Sequence, residues 1–147
     1  MNKDKKIDIA ELVCSLTRYC NIKEEYFASS FNLSPTQVRV LKLFTYTNSY
    51  SIKELCSHLQ LSNGRITQII TTLENKNILY RKIDKKDKRN VIVLLKPKSK
   101  TYINNILKNY EELHKILLSE VPENETNKII ESLKILNNIL ERWIKEK

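Results

Sequence analysis

Residues 62–95 read SNGRITQIITTLENKNILYRKIDKKDKRNVIVLL, and this stretch decides the fold. In its first half Ile66, Ile69, Ile70 and Leu73 recur three and four residues apart, which makes one face of a helix apolar. Ser62 suits the position before that helix, because its hydroxyl can accept a main-chain N–H left without a partner in the first turn. The opposite face carries Asn63, Arg65, Thr67, Gln68, Thr71 and Thr72, with no acidic residue before Glu74. Asn77 stands past the last turn, where a left-handed residue is needed and Asn ranks after Gly. Two β-branched runs follow, 78–83 and 90–95, enclosing Asp84-Lys85-Lys86-Asp87-Lys88-Arg89. They predict a hairpin with a long charged tip.

Upstream, Ser51-Ile52-Lys53-Glu54 has the reciprocal spacing of a capping box and opens a short helix with Ile52, Leu55, Cys56 and Leu59 on one side. Only Gln60 and Leu61 separate it from Ser62, so the pair predicts a helix-turn-helix. Ser34-Pro35-Thr36-Gln37 repeats the cap and opens a helix that buries Val38, Leu41 and Phe44 and stops near Thr47-Asn48-Ser49. Before it, Ile9, Leu12, Val13, Leu16, Tyr19 and Cys20 mark an amphipathic helix over about 7–31. Downstream, Pro97 begins a helix carrying Ile103, Ile106, Tyr110 and Leu113, and Pro122 interrupts it. A last helix over about 123–145 carries Ile129, Ile130, Leu133, Leu136, Leu140, Trp143 and Ile144. One glycine and three prolines leave too little punctuation for an all-β sandwich. The fold class is mainly α, made α+β by the hairpin.

The net charge of +9 is local. Residues 76–100 hold ten basic side chains against two acidic ones, whereas 101–147 hold seven against eight. A run of one sign next to an acid-poor helix fits a polyanion. A membrane surface fits less well, since the run has no apolar helical face to insert. The major groove of DNA admits one helix. There Arg65 can pair with guanine, Gln68 or Asn63 with adenine, and Thr67 and Thr71 with a thymine methyl or a phosphate. Lys85, Lys86, Lys88 and Arg89 on a narrow tip suit the minor groove. Asp87 is expected to hold Arg89 in position, at some cost in attraction to DNA.

Other chemistries find little support. The start, Met1 to Lys6, lacks an apolar signal core, and no run approaches a membrane span, so a cytoplasmic location is expected. Cys14, Cys20 and Cys56 are odd in number and lack C-x-x-C spacing. His58 and His114 stand apart from any Cys or carboxylate cluster, so no metal site is expected. No nucleophile-base order or phosphate loop is present, and neither an enzyme nor a cofactor is expected.

The run from Leu33 to Lys100 resembles the MarR family of regulators. The resemblance rests on Leu33-Ser34-Pro35-Thr36-Gln37, Ile52-Lys53-Glu54-Leu55, Ile66-Thr67-Gln68-Ile69-Ile70, Leu73-Glu74 and, most specifically, Asp87-Lys88-Arg89 before Val91 to Leu95, which matches that family's D-x-R wing signature. Asn77 stands where Gly is usual, and Lys96 and Ser99 where Thr and Gly commonly follow. The resemblance implies a winged helix-turn-helix core with a two-stranded β-wing over 34–96, flanked by dimerisation helices over 1–33 and 97–147. It implies a homodimer on a palindromic operator, with Ile9, Leu12, Leu133, Leu136, Leu140 and Trp143 as dimerisation residues. Independently, the last helix has more apolar stripes than its own small chain could bury. The resemblance further implies a repressor released by a small phenolic or lipophilic effector, or by oxidation of a cysteine in the first helix. Cys14 or Cys20, near Tyr19 and Tyr26, is the candidate, with an inert packed thiol as the alternative. Two other functions fit the same residues: a winged-helix module for an acidic protein, and a non-specific architectural DNA binder.

Overall fold

The computed structural model describes residues 2–147, with side chains from Lys5 onward; Met1, at the head of the charged start, lies outside the described residues. Helix α1 covers Asn2–Ser29, α2 Pro35–Leu43, α3 Ile52–Leu59 and α4 Asn63–Asn75. Strand β1 is Ser49–Ser51, β2 Leu79–Ile83 and β3 Val91–Leu95. Helix α5 spans Ser99–Leu118, and α6 spans Thr126–Lys145 after a 3-10 turn at Glu123–Glu125. The chain divides into two compact units, Met1–Lys108 and Asn109–Lys147, with the division inside α5. No described helix is long and apolar enough to cross a membrane.

The first unit forms where the caps and apolar spacings predict. Both capping boxes close: Ser34 with Gln37, and Ser51 with Glu54. Pro35 occupies the first turn of α2, where its missing N–H costs nothing. The core joins Val38, Val40 and Leu41 of α2, Leu55 of α3, Ile66, Ile70 and Leu73 of α4, Leu79 and Val93 of the sheet, and Ile103 and Ile106 of α5, all at most 3% exposed. Phe27 and Ala28 anchor the end of α1 on it. Tyr102 on α5 donates its hydroxyl to the Phe31 carbonyl at 3.2 Å and meets the Phe31 ring edge-on.

Three features depart from the sequence expectation. Residues 49–51, expected as the end of a helix and a loop, form strand β1, so the two-stranded wing continues into a three-stranded antiparallel sheet of order β1-β3-β2. A three-residue strand has no readable alternation of its own. Tyr50 enters the core and donates its hydroxyl to the Leu43 carbonyl at 2.7 Å, closing the end of α2. Helix α1 also runs further, starting at Asn2 where Ile7 was expected. Among the described residues, three that are not glycine, Asn32, Gln60 and Asn77, take left-handed conformations at helix ends. Asn77 was expected there; Gln60 was not, because a chain this poor in glycine uses an ordinary residue at the joint of α3 and α4, at a cost of roughly 1 kcal/mol.

Candidate nucleic-acid interface

Four apolar residues press α4 into the core, Ile66, Ile69, Ile70 and Leu73, none more than 5% exposed. That burial fixes the rotation of the helix and turns the opposite face outward. Ser62, Asn63, Arg65, Gln68 and Thr71 are exposed and Thr67 is half-buried. These side chains brace one another. The Ser62 hydroxyl accepts the Arg65 main-chain N–H at 3.2 Å, and Thr67 Oγ1 donates to Asn63 Oδ1 at 3.2 Å. Arg65 Nη1 donates to Gln68 Oε1 at 3.3 Å. The guanidinium keeps four of its five donors, and the Gln68 amide nitrogen is turned to the far side of that bond. A pair preoriented in this way loses less rotamer freedom on meeting a base edge.

The wing tip is built by its two acidic residues. Asp84 Oδ1 accepts the Lys86 main-chain N–H at 3.0 Å, and Asp87 Oδ1 accepts that of Arg89, also at 3.0 Å. The Asp87 carbonyl takes the Asn90 N–H at 2.9 Å, and Asp84 N–H closes the hairpin on the Asn90 carbonyl at 3.0 Å. Aspartates of this kind mimic a main-chain turn with their side chains. Asp87 thus meets Arg89 through the main-chain amide, fixing the backbone from which the guanidinium leaves. Lys85, Lys86, Lys88 and Arg89 all remain exposed.

Helix and wing meet at Arg81 of β2. Its Nε lies 2.6 Å from Glu74 Oε1, and its Nη2 donates to Thr71 Oγ1 at 3.2 Å. Thr71 Oγ1 in turn donates to the Thr67 carbonyl at 2.9 Å, so this hydroxyl is engaged on both sides. In the sequence Arg81 stands out only as charge, and Glu74 as the first acid of the helix and part of the Leu73-Glu74 match. Together they form a bridge from wing to α4. A cleft of about 340 Å³ opens beside it, lined among others by Lys53, Asn63, Thr67, Arg81, Arg89 and Asn90. Lys53 and Asn90 were also missed. Lys53 is in the first turn of α3, a helix read for its cap and its apolar side.

The remaining predicted residues are not among those that line this cleft. On α1, Ile9, Leu12, Tyr19 and Tyr26 are exposed, Tyr26 by 79%, and Cys14 and Cys20 are exposed free thiols. Arg18 lies over the Tyr19 ring, 5.4 Å from its centroid. On α6, Leu133, Leu140 and Trp143 are exposed and Leu136 is half-buried. No cluster of three or more metal-ligating side chains occurs among the described residues.

Residues 33–91 match the model of the MarR family. The chain is 34% identical over 73 residues to the HTH-type transcriptional regulator YkoM of Bacillus subtilis (strain 168), covering 50% of this chain and 47% of that protein. It thus spans about half the length of that relative. It is 26% identical over 102 residues to the HTH-type transcriptional regulator MhqR of the same organism, covering 69% of this chain and 70% of that one. The fold superposes with a TM-score of 0.75 on a mutant MarR from E. coli complexed with operator DNA, at 20% identity, over 90% of this chain and 95% of that one.

Proposed function

We propose that the chain, whose residues 33–91 match the MarR family model, is a MarR-type homodimeric, sequence-specific regulator of transcription that reads duplex DNA. One observation carries the reading: the acid-poor face of α4 and the basic wing border a single cleft lined by Lys53, Arg81 and Arg89. In this reading α4 enters the major groove. Arg65, Gln68 and Asn63 meet base edges, with Ser62, Thr67 and Thr71 against sugar and phosphate. Lys85, Lys86, Lys88 and Arg89 follow the backbone to the minor groove, where negative potential draws in arginine. Residues 34–96 bind the duplex, while 1–33 and 97–147 pair two copies through Ile9, Leu12, Leu133, Leu136, Leu140 and Trp143. Dimer symmetry then calls for a palindromic site.

The protein acts in the cytoplasm, on the chromosome, as a binding protein and not as an enzyme. We assign it the role of a repressor released by a small lipophilic or phenolic ligand or by oxidation. The exposed thiols of Cys14 and Cys20, in a helix also carrying Tyr19 and Tyr26, support a signal received on α1.

Selection of bound sites from random duplex DNA, with and without organic hydroperoxide, tests the whole reading. A palindrome preferred by about 10³-fold or more over random duplex at fixed salt is expected. Uniform binding to all duplexes would make the protein an architectural binder, and no binding would point to a protein partner. Hydroperoxide is expected to release the parent protein but not the Cys14→Ser, Cys20→Ser double variant.

A further inference from the structure

Asn63-Gly64 is the one Asn-Gly pair in the sequence, and Gly64 is its only glycine. Neither conformation nor space calls for glycine there. Gly64 does not have a positive φ, and a Cβ added to it would meet nothing within 4 Å. Alanine would favour the helix by about 1 kcal/mol. What glycine does offer is chemical: with no side chain, its main-chain nitrogen can reach the side-chain carbonyl of the preceding asparagine. Three features favour that attack. The Gly64 N–H precedes the helical ladder, which begins with Ile66 N–H to the Ser62 carbonyl at 3.0 Å, so no ladder bond opposes loss of its proton. Thr67 Oγ1 donates to Asn63 Oδ1 at 3.2 Å and draws electrons from Cγ. Lys53 and Arg89 line the same cleft as Asn63, so positive charge borders the group on which negative charge develops.

We propose that Asn63 is a site of spontaneous deamidation, and that the carboxylate formed there removes the protein from DNA. This consequence rests on the DNA-binding reading above. Solvent hydroxide takes the Gly64 amide proton, and the nitrogen attacks Asn63 Cγ. The N–Cγ bond forms, the Cγ–Nδ2 bond breaks, and ammonia leaves with a proton from water. Water then opens the five-membered imide. Opening at Cγ yields aspartate; opening at the main-chain carbonyl yields isoaspartate. The net change is amide plus water to carboxylate plus ammonium, with no oxidant or reductant.

An aspartate in the first turn suits the positive end of α4, so the fold tolerates it. Its effect falls on the interface. The new charge repels phosphate and offers Lys53 and Arg89 an internal anion in place of the DNA backbone. Isoaspartate adds a main-chain atom to the first turn and displaces Ser62 from its cap.

The test ages the full-length protein at mildly alkaline pH and maps its peptides by mass spectrometry. Asn48, at a bend directly before Ser49 of β1, is the internal control. Asn63 is expected to convert several times faster than Asn48, and Gly64→Ala to slow that conversion by about tenfold or more, since a Cβ obstructs ring closure. Asn63→Asp is expected to bind a duplex selected by the fresh parent about tenfold or more weakly, with its unfolding midpoint unchanged or raised. Conversion no faster than at Asn48, or Asn63→Asp binding as tightly as the parent, overturns the proposal. Failure of the fresh parent to bind any duplex would instead strike the DNA-binding reading, and the mass measurement would still judge the chemistry at Asn63.

Discussion

Helices α4 and α6 are both amphipathic, yet their apolar residues meet opposite fates. In α4, Ile66, Ile70 and Leu73 are fully buried within the first unit, and the polar side is the exposed one. In α6 no residue is buried; Ile129, Leu133, Leu140 and Trp143 are 40 to 57% exposed. An isolated helix of this kind gains little from its apolar side and needs tertiary packing to persist. The contrast separates a helix held by its own unit, with its polar side left for a ligand, from one whose apolar side is still owed a partner. A second copy of the chain satisfies that need in the proposed dimer. The strongest way to break the comparison is to remove α6. A chain ending at Pro122 is expected to sediment as a monomer and, losing two-site engagement, to bind a palindromic duplex about 10² to 10⁴-fold more weakly. A truncated chain that still sediments as a dimer would end this account.

Single substitutions sharpen the same contrast. Leu73→Ala empties a site with no exposure and is expected to cost about 2 to 5 kcal/mol in urea unfolding, at any protein concentration. Leu140→Ala removes a side chain that one chain leaves 49% exposed. Its cost should grow as the protein is diluted, because it weakens association and not the fold of the chain. Identical losses at all concentrations for both variants would mean that α6 packs within a single chain.

Most of the fold was legible because local signals agreed with one another. Ser34, Ser51 and Ser62 mark three helix starts, and the residues they cap display the spacing those helices bury. Asn77 marks one end by its left-handed conformation. What could not be read is of two kinds. Strand β1 exists only because Ser49 to Ser51 find Leu94 to Ile92 across the sheet, a pairing between residues more than forty positions apart. The bridge of Arg81 to Glu74 and Thr71 likewise depends on β2 turning one side chain toward α4. Asp87 lies between these cases: its link to Arg89 was expected, but the atoms that make it, a carboxylate and a main-chain amide, belong to turn geometry.

The exposed side of α4 and the wing should themselves respond differently. Arg65→Ala or Gln68→Ala is expected to lose about 1 to 3 kcal/mol of discrimination at one base position while binding to random duplex is largely kept. Arg89→Ala should weaken binding to all duplexes and lower the slope of log affinity against log salt by about one. Binding titrations over a series of salt concentrations, with the selected site and with its point variants, separate the two. If Arg65→Ala weakens all sequences equally, α4 is contacting phosphate and the reading helix lies elsewhere.

The smallest expected effect tests whether the sheet edge that sequence reasoning missed contributes to stability. Tyr50 is 7% exposed, and burial, followed by the charge of Glu54 and the neighbouring Tyr46, raises its phenol above the ordinary value. Below about pH 10 the phenol is neutral in both the folded and the unfolded chain, and its hydrogen bond to Leu43 contributes fully. Above that pH the unfolded chain ionises first, so stability falls as pH climbs toward the raised folded value. Tyr50→Phe is expected to cost about 1 kcal/mol near neutrality and to lessen that alkaline decline, with Tyr102, also raised by burial, supplying the remainder. On α6 the opposite holds. Lys145 lowers the Glu141 carboxyl by a hydrogen bond and by its charge, but the pair is open to water, where screening removes most of its value. Glu141→Gln should therefore leave the unfolding midpoint where it is. A larger shift from Glu141→Gln than from Tyr50→Phe would reverse the ranking of the two regions.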